Sequence, residues 1–280
     1  MADSLLTHER AVRLGAFAGV LVAMALWELA APRRHQTVGR TRRWPGNLGV
    51  VLIDTVVVRL VFPLAAVGVA LVVETRGWGL FPALDAPAWL VITLSIVVLD
   101  LAIYLQHVLF HAVPVLWRLH RMHHTDLEVD VTTGVRFHPL EILLSMGIKL
   151  GVIAAFGTPA VSVLVFEVLL NATSMFNHGN VRLSPAIDRV LRWIVVTPEM
   201  HRVHHSMVAR ETNSNFGFNL PWWDRLLGTY RAQPAAGHLG MTLGVDQFRE
   251  PAELRLDRLL LQPLRGDVRG YPVGRRDTKE

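Results

Sequence analysis

Histidine occupies three of five positions at HRMHH, residues 120–124, and again at HRVHH, residues 201–205. In a helix, side chains three and four apart lie about 5–6 Å from one another at Cβ. His120, His123 and His124 therefore share a face, as do His201, His204 and His205, and two imidazoles so placed can converge on one cation. Upstream, LDLAIYLQHVLFH spaces Asp100, Tyr104, His107 and His111 by 4, 3 and 4, which aligns them along one stripe. Eight clustered histidines could supply four nitrogens to each of two metals, and His138 in RFHPLE with His178 in FNHGN could raise that to five each. Neutral imidazole suits iron, zinc, copper and nickel. Glu141, Glu199 and Asp126 stand close enough in sequence to accept from ring N–H groups and orient them. His8, His35 and His238 lie outside the clusters and are read as structural or surface residues. Burying so many titratable rings without a metal would be costly.

Composition narrows the alternatives. The 280 residues contain no cysteine, which excludes disulfides, haem-thiolate ligation, iron–sulfur clusters and a cysteine nucleophile. Hydrophobic residues make up 51% of the chain, more than an ordinary soluble protein carries. The net charge of +5 does not indicate nucleic acid, because the arginines flank long apolar runs rather than forming a basic folded face. The HExxH pattern of a zinc protease is missing.

The elements that must position the histidines are membrane helices. A crossing takes about 20 apolar residues. Ala11 to Ala31 meets that and is read as a retained anchor, since no small-residue cleavage site follows. Leu48 to Val73 meets it too, with Asp54 and Arg59 inside, five apart and imperfectly aligned for an ion pair. Ala88 to Val108 is a third run. Leu140 to Phe156 and Ala160 to Phe176, of 17 residues each and broken by Gly157-Thr158-Pro159, are either two spans or a hairpin dipping part-way. The fold expected is all-α: an integral membrane helical bundle of four or five segments with a cytoplasmic helical cap that carries a histidine-rich di-metal site. Residues 1–90 are read as anchor helices, 91–235 as the catalytic region and 236–280 as a cytoplasmic C-terminal tail. Orientation follows from five arginines and no acid between Pro32 and Asn47, against one arginine with Glu74 and Asp85 in the next loop. That puts every histidine cluster and the C-terminus on the cytoplasmic side. The Ala-, Arg- and Val-rich composition suggests a bacterial inner membrane. Trp193, Trp222 and Trp223 are either interfacial anchors or packing residues.

These residues resemble the fatty acid hydroxylase/sterol desaturase superfamily, integral membrane non-haem di-iron enzymes whose pattern is HxxxH or HxxxxH, then HxxHH, then a second HxxHH. The corresponding words are HVLFH at 107–111, HRMHH at 120–124 and HRVHH at 201–205. RFHPLE at 136–141, NHGN at 177–180 and NFGFNLPWWDRLLGTY at 215–230 look like family signatures, and the resemblance runs over about residues 95–232. It implies two iron ions and O2 as co-substrate. The implied ligands are His107, His111, His120, His123, His124, His178, His201, His204 and His205, with His138 less firmly matched. It also implies a lipid substrate, hydroxylated, desaturated or cleaved at an ether. Electrons would come from a separate ferredoxin- or cytochrome b5-like donor with its reductase. Many members carry YWxHRxxH where this chain has Tyr104-Leu105-Gln106-His107-Val108, so a contact made by that arginine is not expected here. On this reading the histidine word is written twice because two helices must each present one metal-binding face. The alternative from another class is a zinc or nickel transporter, whose ligands should lie along a path at mid-membrane.

Overall fold

The computed structural model describes residues 2–268 and 270–273, and the regular structure among them is helical, with two isolated bridges and no strand. The bundle comprises α1 (Glu9–Ala30), α2 (Arg40–Val61), α3 (Ala65–Arg76), α4 (Ala88–Ala112), α5 (Pro114–His124), α6 (Pro139–Phe156) and α7 (Ala160–Asn177). The cap includes the short helices α8 (Pro185–Leu191), α9 (Pro198–His204), α10 (Trp222–Leu226) and α11 (Leu256–Leu261). Five segments are long and apolar enough to cross a membrane: Glu9–Ala30, Arg40–Ala83, Ala88–Ala112, Pro139–Phe156 and Ala160–Asn177. Their outward faces leave Leu14, Leu26, Leu52, Leu60 and Trp89 exposed, a surface suited to lipid and unsuited to water.

The run expected over Leu48 to Val73 is one segment in two pieces. Pro63 has no N–H to give, and it ends α2. Ala65 then takes a left-handed φ of 52°, and the chain resumes as α3. Both pieces pack on α6, so the break lies within one wall of the bundle. Small Ala66 and Ala70 let α3 approach α6 and α7, where Ile153, Val163, Leu164 and Phe166, with Leu99 of α4, close an apolar core. Within it Glu167 is held between Lys149 Nζ at 2.5 Å and Arg13 at 2.7 Å. Asp54 is buried while Arg59 lies exposed, so the pair considered for α2 does not form.

The loop at 32–47 and the histidines lie at the same end of the bundle. At the other end Gly79 touches the α6–α7 turn so closely that a Cβ there would fall 2.1 Å from the Gly157 nitrogen, and Gly157 itself caps α6 at φ 69°. Arg33 and Arg34 before α2, and Arg43 in the first turns of α2, a stretch expected as loop, are tied into the cap. Arg43 grips Asp126 with two bonds, of 2.7 and 3.0 Å, and reaches Asp130 at 2.6 Å. All three side chains are wholly buried. Burial works to raise the Asp126 carboxyl, but Arg43 and Arg136 outweigh it and hold it well below the usual carboxylate range. Glu28, near the end of α1, accepts from the backbone of Val131 at 2.7 Å and Asn180 at 2.9 Å. Residues 1–90 thus contribute structure to the cap as well as anchorage.

The segment after 236, expected as a tail, lies packed on the cap. Tyr271 stacks on Trp117 at 5.5 Å between centroids, and Arg121 donates to the carbonyls of Gln262, Arg265 and Asp267. The last residues, including the C-terminus expected in the cytoplasm, lie outside those described.

Removing one partner of a buried ion pair costs about 3–5 kcal/mol, because the other charge stays buried. Arg43→Met, similar in bulk, should therefore lower the unfolding midpoint of the detergent-purified protein markedly. A wild-type midpoint would show that Asp126 and Asp130 do not depend on this guanidinium.

Candidate metal centre

Four elements bring the histidines together. The last two turns of α4 carry His107 and His111. Pro114 opens α5 at its first turn, where a missing N–H is harmless, so that His120, His123 and His124 fall in its last turn. His178 caps α7. Thr197 caps α9 by accepting from the Met200 nitrogen, Pro198 follows, and His201, His204 and the capping His205 come next. The stripe on α4 packs as its spacing predicts: Asp100, Tyr104, His107 and His111 are all buried. Tyr104 meets Thr229 at 2.8 Å, and Asp100 accepts from Trp223 at 2.8 Å.

Nine histidines resolve into two abutting groups. His107, His111, His120, His124 and His204 form one, and His123, His178, His201 and His205 the other, with the ligand atoms of each group within 4.8 Å of one another. His124 and His205, from different groups, stack at 4.6 Å. The two histidine words divide between the groups. His120 and His124 of the first word go to the first group and His123 to the second; His201 and His205 of the second word go to the second group and His204 to the first. Each helix therefore serves both groups, rather than presenting one face to one metal. Residues four apart point about 40° apart around the axis and share a group, while the histidine three along points about 60° to the other side and feeds the neighbouring group.

His138 is not brought to either group. It caps α6, its Nδ1 accepting from the Leu140 nitrogen at 3.2 Å while Nε2 faces the Leu260 carbonyl at 3.2 Å. Both ring nitrogens are occupied by backbone. A histidine just before Pro139 has the sequence of a cap as much as of a ligand.

The rings are oriented from behind. His107 Nδ1 donates to Phe216 O at 2.7 Å, His204 Nδ1 to Ser214 O at 2.7 Å, His178 Nδ1 to Ser174 O at 2.7 Å and His123 Nδ1 to Arg136 O at 3.2 Å. His111 Nδ1 meets Asn213 Oδ1 at 3.1 Å, and His120 Nδ1 lies 2.6 Å from Glu141 Oε1. A carbonyl can only accept, so His107, His111, His123, His178 and His204 carry their proton on Nδ1 and present an Nε2 lone pair to the interior. Of the carboxylates considered from sequence, Glu141 performs this task. Asp126 serves Arg43, and Glu199 pairs with Arg33, Arg202 and His238. Asp224 accepts from Phe216 N at 2.7 Å and Gly217 N at 2.9 Å, fixing the loop whose carbonyls orient His107 and His204. Most of these acceptors are backbone oxygens, which leave no mark in a sequence.

The donor set fits a pair of divalent cations. His107 Nε2 and His120 Nε2 face each other at 3.0 Å, and His123 Nε2 and His178 Nε2 at 3.1 Å. With Nδ1 protonated on both His123 and His178, the second of these pairs sets lone pair against lone pair, a repulsion that an intervening cation relieves. An imidazole nitrogen sits about 2.0–2.1 Å from a zinc-sized ion, so two nitrogens at a right angle lie about 3.0 Å apart. His111 Nε2, His204 Nε2 and both nitrogens of His124 and His205 are buried without any hydrogen-bond partner. Burial lowers His120 and His178 to about 3, and burial with neighbouring imidazoles lowers His123, His124, His201, His204 and His205 well below the usual range. These rings are neutral, the form that binds metal.

A cavity of about 210 Å³ leads to the first group. Its walls include Phe17, Val51, Ile103, Phe110, Phe137 and Phe218, and His107 and His120 close one end. Trp193 and Trp222 are exposed on the cap, beside Trp223, whose indole reaches Asp100 within the α4 span.

Comparison with known proteins agrees with this geometry. Residues 92–229 match a family model described as fatty acid hydroxylase. An ornithine lipid hydroxylase of Rhizobium tropici is 32% identical over 155 residues, 54% of this chain and 45% of that protein. An alkylglycerol monooxygenase of Xenopus tropicalis is 28% identical over 165 residues, 58% of this chain and 35% of that protein. A fatty acid hydroxylase of Lecanicillium is 26% identical over 165 residues, covering 51% and 42%. The aligned region spans less than half the length of each of these curated relatives. No solved structure gives a significant match. The matched region, residues 92–229, contains every histidine of both groups and is a fatty acid hydroxylase family region.

Proposed function

We propose that this chain is a membrane-bound di-iron oxidoreductase that uses O2 to hydroxylate, or desaturate, a lipid. One observation carries the reading: nine buried imidazoles in two abutting groups stand at the end of an apolar cavity enclosed by membrane helices. His107, His111, His120, His124 and His204 would hold one iron, and His123, His178, His201 and His205 the other. Bound iron supplies the redox chemistry that an unactivated C–H bond requires, and the protein's part is position and environment. Glu141 and the carbonyls of Ser174, Ser214 and Phe216 fix the rings so that Nε2 stays aimed inward. Phe110, Phe137 and Phe218 keep water from the cavity and hold a stretch of apolar chain against His107 and His120. The similarity to an ornithine lipid hydroxylase and an alkylglycerol monooxygenase supports a polar lipid as substrate.

In this reading the electrons come from a separate ferredoxin- or cytochrome b5-like protein with its reductase. The cap faces the cytoplasm of a bacterial inner membrane, consistent with the arginines of the loop at 32–47. A zinc or nickel transporter has less support, because its ligands would line a path through the bundle, whereas these histidines are enclosed at one end.

His123→Ala with His124→Ala removes one donor from each group and should abolish stoichiometric iron measured by elemental analysis, whereas His138→Ala should keep it. Full iron in the double variant would exclude both rings as ligands. Glu141→Gln should lower iron affinity or turnover by about 10–100-fold, the usual cost of losing a histidine's orienting partner; no change would assign Glu141 another role. In host cells grown under 18O2, deleting the gene should remove a lipid carrying one labelled oxygen. Loss of a lipid two hydrogens lighter than its precursor would mark desaturation instead, and an unchanged lipid profile would argue against a lipid substrate.

A further inference from the structure

Three of the polar atoms that the fold leaves over in the cavity are oxygens able to accept. Asp54 Oδ1, Gln106 Oε1 and Glu141 Oε2 are buried without a hydrogen-bond partner, and all three residues line the chamber. Of the polar residues beside them, Thr55 Oγ1 donates to Val51 O, Ser174 Oγ to Gly134 O and Asn171 Nδ2 to Glu167 O, and Ser145 also lines the chamber. Glu141 also has a structural task, since its other oxygen holds the His120 ring. Asp54 has no comparable task. It is 8% exposed, its Oδ1 meets nothing, and Arg59 on the same helix lies on the exposed side.

A carboxyl set beside Phe17, Val51 and Ile103 costs the bundle stability unless something bonds to it. The chamber ends at His107 and His120, so whatever occupies it lies against the first histidine group. We propose that the chamber recognises a hydrogen-bond donor on the substrate, a hydroxyl or an amide N–H near the carbon that is oxidised, with Asp54 as the principal acceptor and Gln106 and Glu141 beside it. The proposal rests on the lipid-oxidation reading for calling the occupant a substrate. It narrows the class from any hydrocarbon tail to lipids that carry an O–H or N–H within reach of an apolar chain. The aromatic and aliphatic walls take the adjoining methylenes. A bare alkyl or ester segment would leave three acceptors desolvated and unpaired, which is how a site rejects an analogue that lacks the donor.

Matched lipid pairs test this on the purified full chain. One pair is an alkylglycerol with free hydroxyls and its O-methylated form; the other is an N-acyl amino acid ester and its N-methyl form. Binding is read as ligand-dependent thermal stabilisation and turnover as 18O incorporation. The wild-type protein should bind the donor-bearing member of at least one pair about tenfold or more tightly than its methylated partner. Asp54→Leu should collapse that ratio toward one, and Asp54→Asn, which keeps an acceptor oxygen, should retain most of it. Equal binding of both members of both pairs by the wild type overturns the proposal without recourse to a variant. Undiminished discrimination by Asp54→Leu overturns the role of Asp54. Discrimination in binding with no oxygen incorporated leaves the proposal standing and removes the oxidation reading instead.

Discussion

Facing imidazole lone pairs are the constraint around which this structure is arranged. His107 with His120, and His123 with His178, bring Nε2 atoms to 3.0 and 3.1 Å, and in the second pair both Nδ1 protons are given to backbone carbonyls behind the rings. Such an arrangement is unfavourable in a protein interior until a cation lies between the rings, and it requires each ring to be clamped from the rear. The clamps come from widely separated places: the end of α7, the loop at 213–217, the turn before α6 and Glu141 in its first turn. Gly134 belongs to the same requirement. A Cβ there would fall 2.4 Å from Ser174 O, whose carbonyl holds His178, so the turn at 133–135 can approach α7 only as glycine.

The clamps would not hold if the cap could move against the bundle. Arg43 prevents this by carrying the rigidity of α2 into the segment 126–133 through Asp126, Asp130 and the Glu128 carbonyl. A guanidinium is suited to this position because its fixed fork satisfies several oxygens at once, and none of these groups has water to fall back on. Glu28 does the same from α1, accepting from Val131 and Asn180 on both sides of the second histidine group. The arginine-rich stretch at 32–47 therefore fastens its end of the bundle to the histidine-bearing helices.

The two histidine groups differ in access. The cavity reaches His107 and His120 of the first group, whereas no histidine of the second lines it. Oxidation at a lipid carbon would accordingly take place against the first group, with the second enclosed by Phe137, α7 and α9. His123 lies flat on Phe137, ring centroids 4.4 Å apart, and Phe137 is also a wall of the cavity. One aromatic ring thus separates the substrate space from the enclosed group.

Much of the site was legible in the sequence because it depends on helical spacing, which is local. The i, i+3 and i+4 intervals of HRMHH and HRVHH and the stripe through Asp100 and His111 follow from the pitch of an α-helix and appear in the structure as such. The membrane segments were legible for the same reason, since length and hydropathy belong to a contiguous stretch. What only the tertiary structure decided is how faces meet. It divided each histidine word between two groups, because α5 and α9 meet ring to ring at the site and adjacent positions on each point about 100° apart. It assigned His138 to a helix cap, a choice that depends on the Leu260 carbonyl far along the chain. It folded the segment after 236 over Trp117 and Arg121, and it turned Asp54 toward a cavity while Arg59 faced outward. Each of these depends on backbone oxygens or packing partners distant in sequence, which the order of side chains alone does not encode.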